Sequence, residues 1–297
     1  MQRAMRTCMA LTAICCGATV VPAPAHAQSS VDKDQYSLFD PVPDSEMRSF
    51  STDRPTKSNV PYTVDAGHYQ YETDIFNFSY MRTGSITMTT LLAPNPTLKV
   101  GLTNNIDFEV NCAPFVHTDS LDMATNSSSQ ISGVGDLYLR SKINLWGNDG
   151  GKSAFALIPI VKVPSAPPGI GNGATEGGII APLSFSLPNN LTLLFNSQVA
   201  ILKDTVGGGY HPGLANLVNL SAPIAKNVTL YGELWSNFNF DNPRTIQQYS
   251  FDTAVAYIVR PNFQIDAGMN IGLNRDTPAL QVYMGAAAEC GGPPRCC

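Results

Sequence analysis

From residue 67 to residue 288 the chain repeats a pattern in which apolar and polar residues alternate, and a break ends each run. Near the end of the chain, for example, Phe263 and Ile265 alternate with Gln264 and Asp266. A period of two puts the two sets on opposite faces of a β-strand. About a dozen such runs follow one another, so the pattern predicts an all-β chain of about twelve strands.

The breaks between the runs alternate between short turns and longer loops. Short breaks fall at residues 103–105, 147–152, 188–190, 224–227 and 260–262. Longer breaks interleave with them at residues 117–131, 164–177, 203–211 and 239–246, and the first and last outer breaks, near 81–85 and 274–277, are short. Outer-membrane barrels have tight periplasmic turns and long outer loops. The order of the breaks therefore favours such a barrel, with both termini on the periplasmic side.

The charged residues of the runs share one face. That face carries eight acids and four bases, which are Glu72, Asp74, Lys99, Asp107, Glu109, Asp136, Arg140, Lys142, Lys162, Glu233, Asp252 and Asp266. Alternation alone also fits a soluble β-sandwich, which buries its apolar face. Together with the order of the breaks, it predicts a transmembrane antiparallel up-and-down β-barrel with the charged face toward the lumen. These residues, and Trp235 on the same face, are the predicted lumen lining.

The N-terminus has the composition of a secretory signal peptide. Arg3 and Arg6 precede a short apolar stretch, and Ala25-His26-Ala27 offers a cleavage site. A membrane anchor is the alternative, although the stretch is short for one. We therefore divide the chain into a signal peptide (1–27), an irregular N-terminal segment (28–66), an outer-membrane β-barrel (67–288) and a Cys-rich tail (289–297). The predicted location is the outer membrane of a Gram-negative bacterium.

Four short motifs resemble a known outer-membrane family. They are STDRPTKS at 51–58, GHYQYE at 67–72, LKVGLTNNIDF at 98–108, and GVGDL at 133–137 followed by Lys142. In this order they resemble the family labelled "putative MetA-pathway of phenol degradation", often called simply transporter. The resemblance implies an outer-membrane barrel that passes small aromatic or hydrophobic compounds. It assigns no role to any single residue.

The charges of the lumen face fit two roles. If the turn at 103–105 is centred on Asn104, Lys99 lies directly opposite Glu109 and the two can form a cross-strand ion pair. Such charges either form a polar constriction that selects solutes or brace the wall as a salt-bridge network. We also hypothesise that the motif Asp53-Arg54-Pro55 folds into or under the lumen, with Arg54 against the acidic wall. A disordered periplasmic tether is the alternative.

The sequence gives little support to other kinds of chemistry. The histidines that follow the signal peptide are His68, His117 and His211, and Ser120 follows His117 by three residues. The Gly-x-Ser-x-Gly elbow of the α/β-hydrolases does not occur, so we predict no enzyme, with a lipid hydrolase that uses His117 as a distant alternative. Neither His-x-x-x-His nor Cys-x-x-Cys occurs, and we predict no metal site and no cofactor. No basic stripe indicates nucleic acid as a partner.

The predicted function is therefore that of an outer-membrane channel for passive passage of small organic solutes. Its expected partners are outer-membrane lipid, a small-molecule solute and, during biogenesis, the barrel assembly machinery. The main alternative is a barrel without a transport role, either a structural protein or an adhesin that displays its long loops.

Overall fold

The computed structural model describes residues 32–242 and 244–291, so the predicted signal peptide and most of the Cys-rich tail lie outside the described residues. As predicted, the chain forms a closed antiparallel barrel of 12 strands. β1 is Tyr69–Thr83, β2 consists of Ile86–Leu92 and Asn95–Thr103, β3 of Ile106–Cys112 and Val116–Asp122, and β4 of Ser127–Gly133 and Leu137–Trp146. The other strands are β5 (Ser153–Val163), β6 (Glu176–Ser186), β7 (Thr192–Lys203), β8 (Tyr210–Ala225), β9 (Val228–Asn239), β10 (Ile246–Arg260), β11 (Phe263–Gly272) and β12 (Leu280–Cys290).

The barrel closes where the first strand meets the last. β1 pairs with β12, from Tyr69 opposite Cys290 to Tyr80 opposite Leu280. On its other edge, β1 pairs with the Asn95–Thr103 segment of β2 and then with its Ile86–Leu92 segment. The remaining strands pair antiparallel with their neighbours in chain order. Closure of this kind gives the backbone groups of the wall hydrogen-bond partners, as a hydrocarbon environment requires.

A β-bulge interrupts the first strand. The register between β1 and β12 shifts between Asp74 and Phe76. Ile75 and Phe76 are consequently both exposed on the outer face. The alternation then resumes with Asn77 inside, where its side chain accepts a hydrogen bond from Gln281. The bulge explains why the apolar positions of this run change phase in the sequence.

One predicted loop is largely strand. The sequence predicts a long loop at 117–131, but Val116–Asp122 and Ser127–Gly133 pair in register and leave residues 123–126 as the turn. The prediction was wrong because this stretch has polar side chains on both of its faces. On one face, for example, the Thr118 hydroxyl lies 3.3 Å from that of Thr90 on β2, and on the other face His117 contacts Ser132. Without an apolar face, a strand shows no alternation in the sequence.

The burial of side chains is the reverse of that in a soluble domain. Lys142, Asp107 and Asp252 lie in the interior and are at most 1% exposed, whereas the outward-facing Val199 and Leu234 are 57% and 54% exposed. In water this arrangement would expose apolar surface and bury charge, and both are unfavourable. In a bilayer the outer face meets lipid instead. The soluble sandwich is therefore the wrong alternative, and the protein lies in the bacterial outer membrane.

The N-terminal segment closes the end of the barrel that carries the short turns, which we call the turn end. It contains two short 3-10 helices, Lys33–Gln35 and Asp44–Glu46. Arg48 donates to the Asn104 carbonyl at 2.9 Å and to Asp149 Oδ1 at 2.8 Å, so it fastens the segment to two turns. Among the described residues, no helix has the length and apolar character needed to cross a membrane.

Candidate functional site

The charged residues predicted for the lumen lie on the inner wall of the barrel. Asp136, Arg140 and Trp235 are half-buried. The buried ones are Glu72, Asp74, Lys99, Asp107, Glu109, Lys142, Lys162, Glu233, Asp252 and Asp266. Many of them meet residues 53–59 of the N-terminal segment, which cross the lumen and which we call the crossing segment. The geometry of the site is therefore the geometry of the contacts between this segment and the wall.

The crossing segment begins at a group of five charges that we call the lysine cluster (Asp53, Glu72, Lys99, Glu109 and Lys142). Asp53 accepts from the ammonium groups of both lysines, with Lys142 Nζ 3.0 Å from its Oδ1. Burial alone would raise the pKa of Asp53, but the charges of Lys142 and Lys99 outweigh burial and hold that pKa well below its ordinary value. Asp53 is therefore an ionised group that joins β2 to β4 through the lumen.

Lys99 and Glu109 face each other across β2 and β3, in the register that the turn predicts. Their contact is nevertheless loose, because Lys99 Nζ lies 3.8 Å from Glu109 Oε1 but 2.7 Å from Glu72 Oε1. Asp53 takes a further place around the same ammonium group. The strand register thus places Lys99 opposite Glu109, but the ammonium group lies closer to Glu72 of β1 and to Asp53 of the crossing segment.

Arg54 bridges two strands on another side of the lumen. Its guanidinium donates to Asp74 Oδ1 of β1 at 2.6 Å and to both carboxylate oxygens of Asp266 of β11, at 2.6 and 3.1 Å. A planar guanidinium suits this two-pronged contact. The group packs against β12, where a Cβ at Gly285 would overlap both the guanidinium and the backbone oxygen of Thr73. Glycine at 285 therefore leaves room for Arg54 and for the neighbouring strand β1.

Lys57 continues the crossing to the far wall. Its ammonium lies 2.6 Å from Asp252 Oδ2 and 2.8 Å from the Ser250 hydroxyl of β10. It also lies 4.6 Å from the centre of the Trp235 ring, which is a cation–π distance. The backbone N–H of Lys57 donates to Glu233 Oε1 at 3.2 Å. Two of the predicted acids and the predicted tryptophan thus meet one lysine.

The crossing ends on β7. The backbone N–H of Asn59 donates to Asn196 Oδ1 at 2.6 Å, and Asn196 returns a hydrogen bond to the Asn59 carbonyl at 3.0 Å. The side-chain amide of Asn196 thus makes the two hydrogen bonds to the Asn59 backbone that a neighbouring strand would make. From Asp53 to Asn59 the segment therefore contacts the wall on several sides, through ion pairs and hydrogen bonds.

A separate group of charges lies outside this crossing. Lys162 on β5 contacts Glu176 Oε2 at 2.8 Å and Asp136 Oδ2 at 3.4 Å. Asp136 also accepts from the backbone N–H groups of Ser165 and Ala166, so this group fixes the loop that follows β5.

Arg140 belongs to neither group, because its shortest distance to Glu109 is 3.9 Å. The predicted lining residues are thus divided between the lysine cluster, the crossing segment and this loop.

Sequence reasoning did not single out Lys57 and Asn59. Lys57 had a signal, because it lies in the STDRPTKS motif three residues after Arg54, whereas Asn59 lies just beyond that motif. Sequence reasoning also missed a group at the end opposite the turns, where His211 Nδ1 lies 2.7 Å from Asp204 Oδ1 and 3.4 Å from Asp241 Oδ1. Among the described residues, these three side chains form the group of possible metal ligands whose atoms lie close enough together to hold an ion. Asp241 also accepts from the Thr205 hydroxyl at 2.5 Å, so the group ties two loops to each other.

His117, the residue of the hydrolase alternative, has a different partner from the one suggested by the sequence. Ser120 lies opposite Ser129, and residues three apart on a strand point to opposite faces. Instead, His117 Nδ1 lies 2.6 Å from the Ser132 hydroxyl, and His117 Nε2 lies 3.1 Å from Asp119 Oδ2. The three side chains are neighbours on the outer part of the sheet, with a hydrogen bond between His117 and Ser132 and a close contact between His117 and Asp119.

The family of the protein follows from its sequence match. The model of the family described as "Putative MetA-pathway of phenol degradation" matches residues 52–289, which contain the crossing segment and all twelve strands. This chain therefore belongs to that family. No curated protein matches it by sequence.

Solved structures support the fold. The COG4313 outer membrane channel from Pseudomonas putida F1 is similar with a TM-score of 0.55 at 12% identity, over 75% of this chain and 92% of that chain. OprB of Pseudomonas putida is similar at a TM-score of 0.40 and 11% identity, over 75% of this chain and 91% of that chain, a likeness too low to carry an argument. At these identities the likeness shows a shared barrel fold alone.

Proposed function

We propose that this protein is an outer-membrane channel through which small organic solutes diffuse. The observation that carries the proposal is the polar interior: the lumen is lined by charges and amides and crossed by a segment held by ion pairs and hydrogen bonds. A purely structural barrel has no need to keep charged groups such as Glu109 and Lys142 inside, because apolar side chains could fill it at lower desolvation cost. The family match supports the same proposal.

We further propose that the passing solutes are neutral. The cations of the crossing segment are already paired, Arg54 with Asp74 and Asp266, and Lys57 with Asp252. An ion would have to break these pairs to gain a partner, whereas a neutral molecule does not. Barrels of about eight strands are filled by side chains and those of about 16 to 18 hold an aqueous channel. Twelve strands with a crossing segment therefore suit small molecules, and the family description favours aromatic ones.

Liposome uptake tests this proposal. We expect vesicles that contain the purified protein to take up small neutral organic compounds faster than protein-free vesicles, and planar bilayers to show discrete conductance steps. The turn end would face the periplasm in the cell. If neither uptake nor conductance exceeds the protein-free background, the channel proposal fails and a structural or adhesin-like barrel becomes the better account.

Lipid hydrolysis is a second candidate because His117 lies between Ser132 and Asp119. A serine–histidine–acid line can activate a hydroxyl, but acyl transfer also needs donors aimed at the oxyanion. The contact of His117 with Ser132 is an ordinary cross-strand contact of a polar sheet, and Asp119 lies two residues from His117 on the same strand. We therefore expect no release of fatty acid from phospholipid micelles. Release that disappears in both His117→Ala and Ser132→Ala would establish the enzyme instead.

A further inference from the structure

We propose that the lumen contains a binding subsite for a small neutral solute that carries a hydroxyl group, and that Asn270 and Tyr283 on the wall recognise it above the crossing segment. This inference rests on the proposed channel function, because the solute reaches the subsite through the lumen. It goes further by naming the groups that bind the solute and the chemistry that they select.

The subsite is a cavity of about 180 Å³ on the side of the crossing segment away from the turn end. Residues 54–57 form its floor, and Asn77, Asn270, Gln281 and Tyr283 line its wall. One water molecule needs only about 10 to 15 Å³ of such space, so the cavity can hold several waters or one small organic molecule. The floor and the wall belong to different parts of the chain, so the cavity exists because the segment crosses the barrel.

Side-chain amides on the wall form a chain of hydrogen bonds, and one carboxylate sets the direction in which they donate. The Asp74 carboxylate accepts from the Arg54 guanidinium, and Asn77 turns its NH₂ group toward the same carboxylate, at 3.0 Å. The oxygen of Asn77 then accepts from the NH₂ group of Gln281 at 2.8 Å. The oxygen of Gln281 accepts in turn from the NH₂ group of Asn270, also at 2.8 Å. Every amide in the chain thus points its donor toward Asp74.

The chain therefore leaves an acceptor at its far end. Asn270 Oδ1 is buried and has no hydrogen-bond partner among the described residues, and the whole side chain is 6% exposed. Turning the Asn270 amide over would place its oxygen against the oxygen of Gln281, two acceptors together, and would break the order that Asp74 imposes. An unpaired buried acceptor is costly, and Asn270 is one of the residues that line the cavity. It calls for a hydrogen-bond donor on whatever occupies that cavity.

Tyr283 supplies the second group. Its hydroxyl is also buried without a partner among the described residues, and the side chain is 7% exposed. Tyr283 lies opposite Gly268, where a Cβ would come within 2.5 Å of the hydroxyl oxygen. Glycine at 268 therefore makes room for the ring to lie along the wall. Since Gln281 is opposite Asn270 two residues away, Tyr283 and Asn270 share one face of adjacent strands, about 7 Å apart along the strand direction.

The charges around the cavity favour a neutral occupant. Arg54 and Lys57 on the floor are bridged to Asp74, Asp266 and Asp252. The free hydrogen-bonding groups are accordingly an amide oxygen and a phenolic hydroxyl. The first accepts, and the second can donate or accept. A molecule with an O–H group satisfies both, whereas a molecule without a donor satisfies Tyr283 alone.

Two probes with the same aromatic ring but different hydrogen-bonding groups separate these contributions. Phenol has an O–H group, and anisole has the same ring and an oxygen that can only accept. We expect titration calorimetry on the full-length protein in detergent to show phenol binding about fivefold to tenfold tighter than anisole, the range expected for one additional hydrogen bond. Asn270→Ala should remove this preference, because the acceptor for the O–H group is gone. Tyr283→Phe should instead weaken both probes by a similar factor.

Asn237→Ala is the matched control. Asn237 also donates its amide to a glutamine on the neighbouring strand, Gln248, at 3.0 Å, but it does not line the cavity. It should leave both affinities unchanged. Equal binding of phenol and anisole to the wild-type protein, or equal effects of Asn237→Ala and Asn270→Ala, would show that the cavity holds only water. If either of these results is obtained while liposome uptake persists, the subsite proposal fails and the channel proposal stands.

Discussion

Arg54 illustrates how one side chain can hold a segment across a lumen. Three of its N–H groups meet Asp74 and Asp266, and the carboxylates belong to strands that are separated by β12. The hypothesis that this residue meets the acidic wall came from the sequence, because a basic motif precedes a run of acidic strands. The identity of the two acids could not be predicted. It depends on the path of a segment that has no periodicity of its own.

We expect Arg54→Ala to lower the free energy of unfolding by about 3 kcal/mol, because two carboxylates would remain buried without their cation. The side chains of Asp74 and Asp266 are 9% and 0% exposed. Arg54→Lys should lie between the wild type and the alanine variant, since an ammonium cannot make the same forked contact. Denaturant unfolding in detergent, followed by the fluorescence of the two tryptophans, measures the change.

The control for this measurement is Arg244→Ala. Arg244 also binds a carboxylate with two N–H groups, those of Nη1 and Nη2 to Asp276, but its side chain is 64% exposed. Surface pairs of this kind contribute little. An equal loss in the two alanine variants would contradict the buried role of Arg54.

At the scale of the elements, the sequence predicted best those strands that have one face in contact with lipid. Strands such as β7, β10 and β11 have one face toward lipid, so their alternation predicted them well. The outer parts of β2, β3 and β4 carry polar residues on both faces and were predicted as loops or left unassigned. The crossing segment has no period either, and its conformation comes from specific contacts such as the one between Asn59 and Asn196. Pattern reveals an element only where the environments of its two faces differ.

The outer part of β4 gives a test of this distinction. Ser127–Gly133 pairs with Val116–Asp122, and its other edge has no strand partner among the described residues. We therefore expect its amides to exchange with deuterium faster than those of Leu137–Trp146, the part of β4 that is paired on both edges. Hydrogen-exchange mass spectrometry of the protein in detergent measures both segments in one sample. Equal protection of the two would mean that another contact covers the outer edge.

At the scale of the whole molecule, the barrel and its N-terminal segment compensate each other's charge. The wall residues predicted for the lumen include eight acids and four bases, a net charge of −4. Arg54 and Lys57 bring two cations to three of these acids, and Asp53 brings one acid to Lys99 and Lys142, so two positive charges and one negative charge add a net of +1. The segment therefore narrows the lumen and neutralises part of its field at the same time. Removing it should change both the width of the pore and its preference among ions.

We expect a variant that lacks residues 28–60 to conduct severalfold more current than the full-length protein and to prefer cations. The larger conductance follows from the freed cross-section, and the preference follows from Asp74, Asp252 and Asp266, which would face the lumen without their partners. Planar-bilayer recordings under a salt gradient give both quantities, and the preference should weaken as salt screens the wall.

Full-length protein with Arg54→Gln and Lys57→Gln separates width from charge. This variant removes the two cations but keeps the segment, so its ion preference should move toward that of the deletion while its conductance rises less. The double variant should therefore fall between the other two proteins in conductance and close to the deletion in selectivity. A deletion variant with unchanged conductance would show that the segment does not restrict the pore, and the lumen charges would then be a brace for the wall.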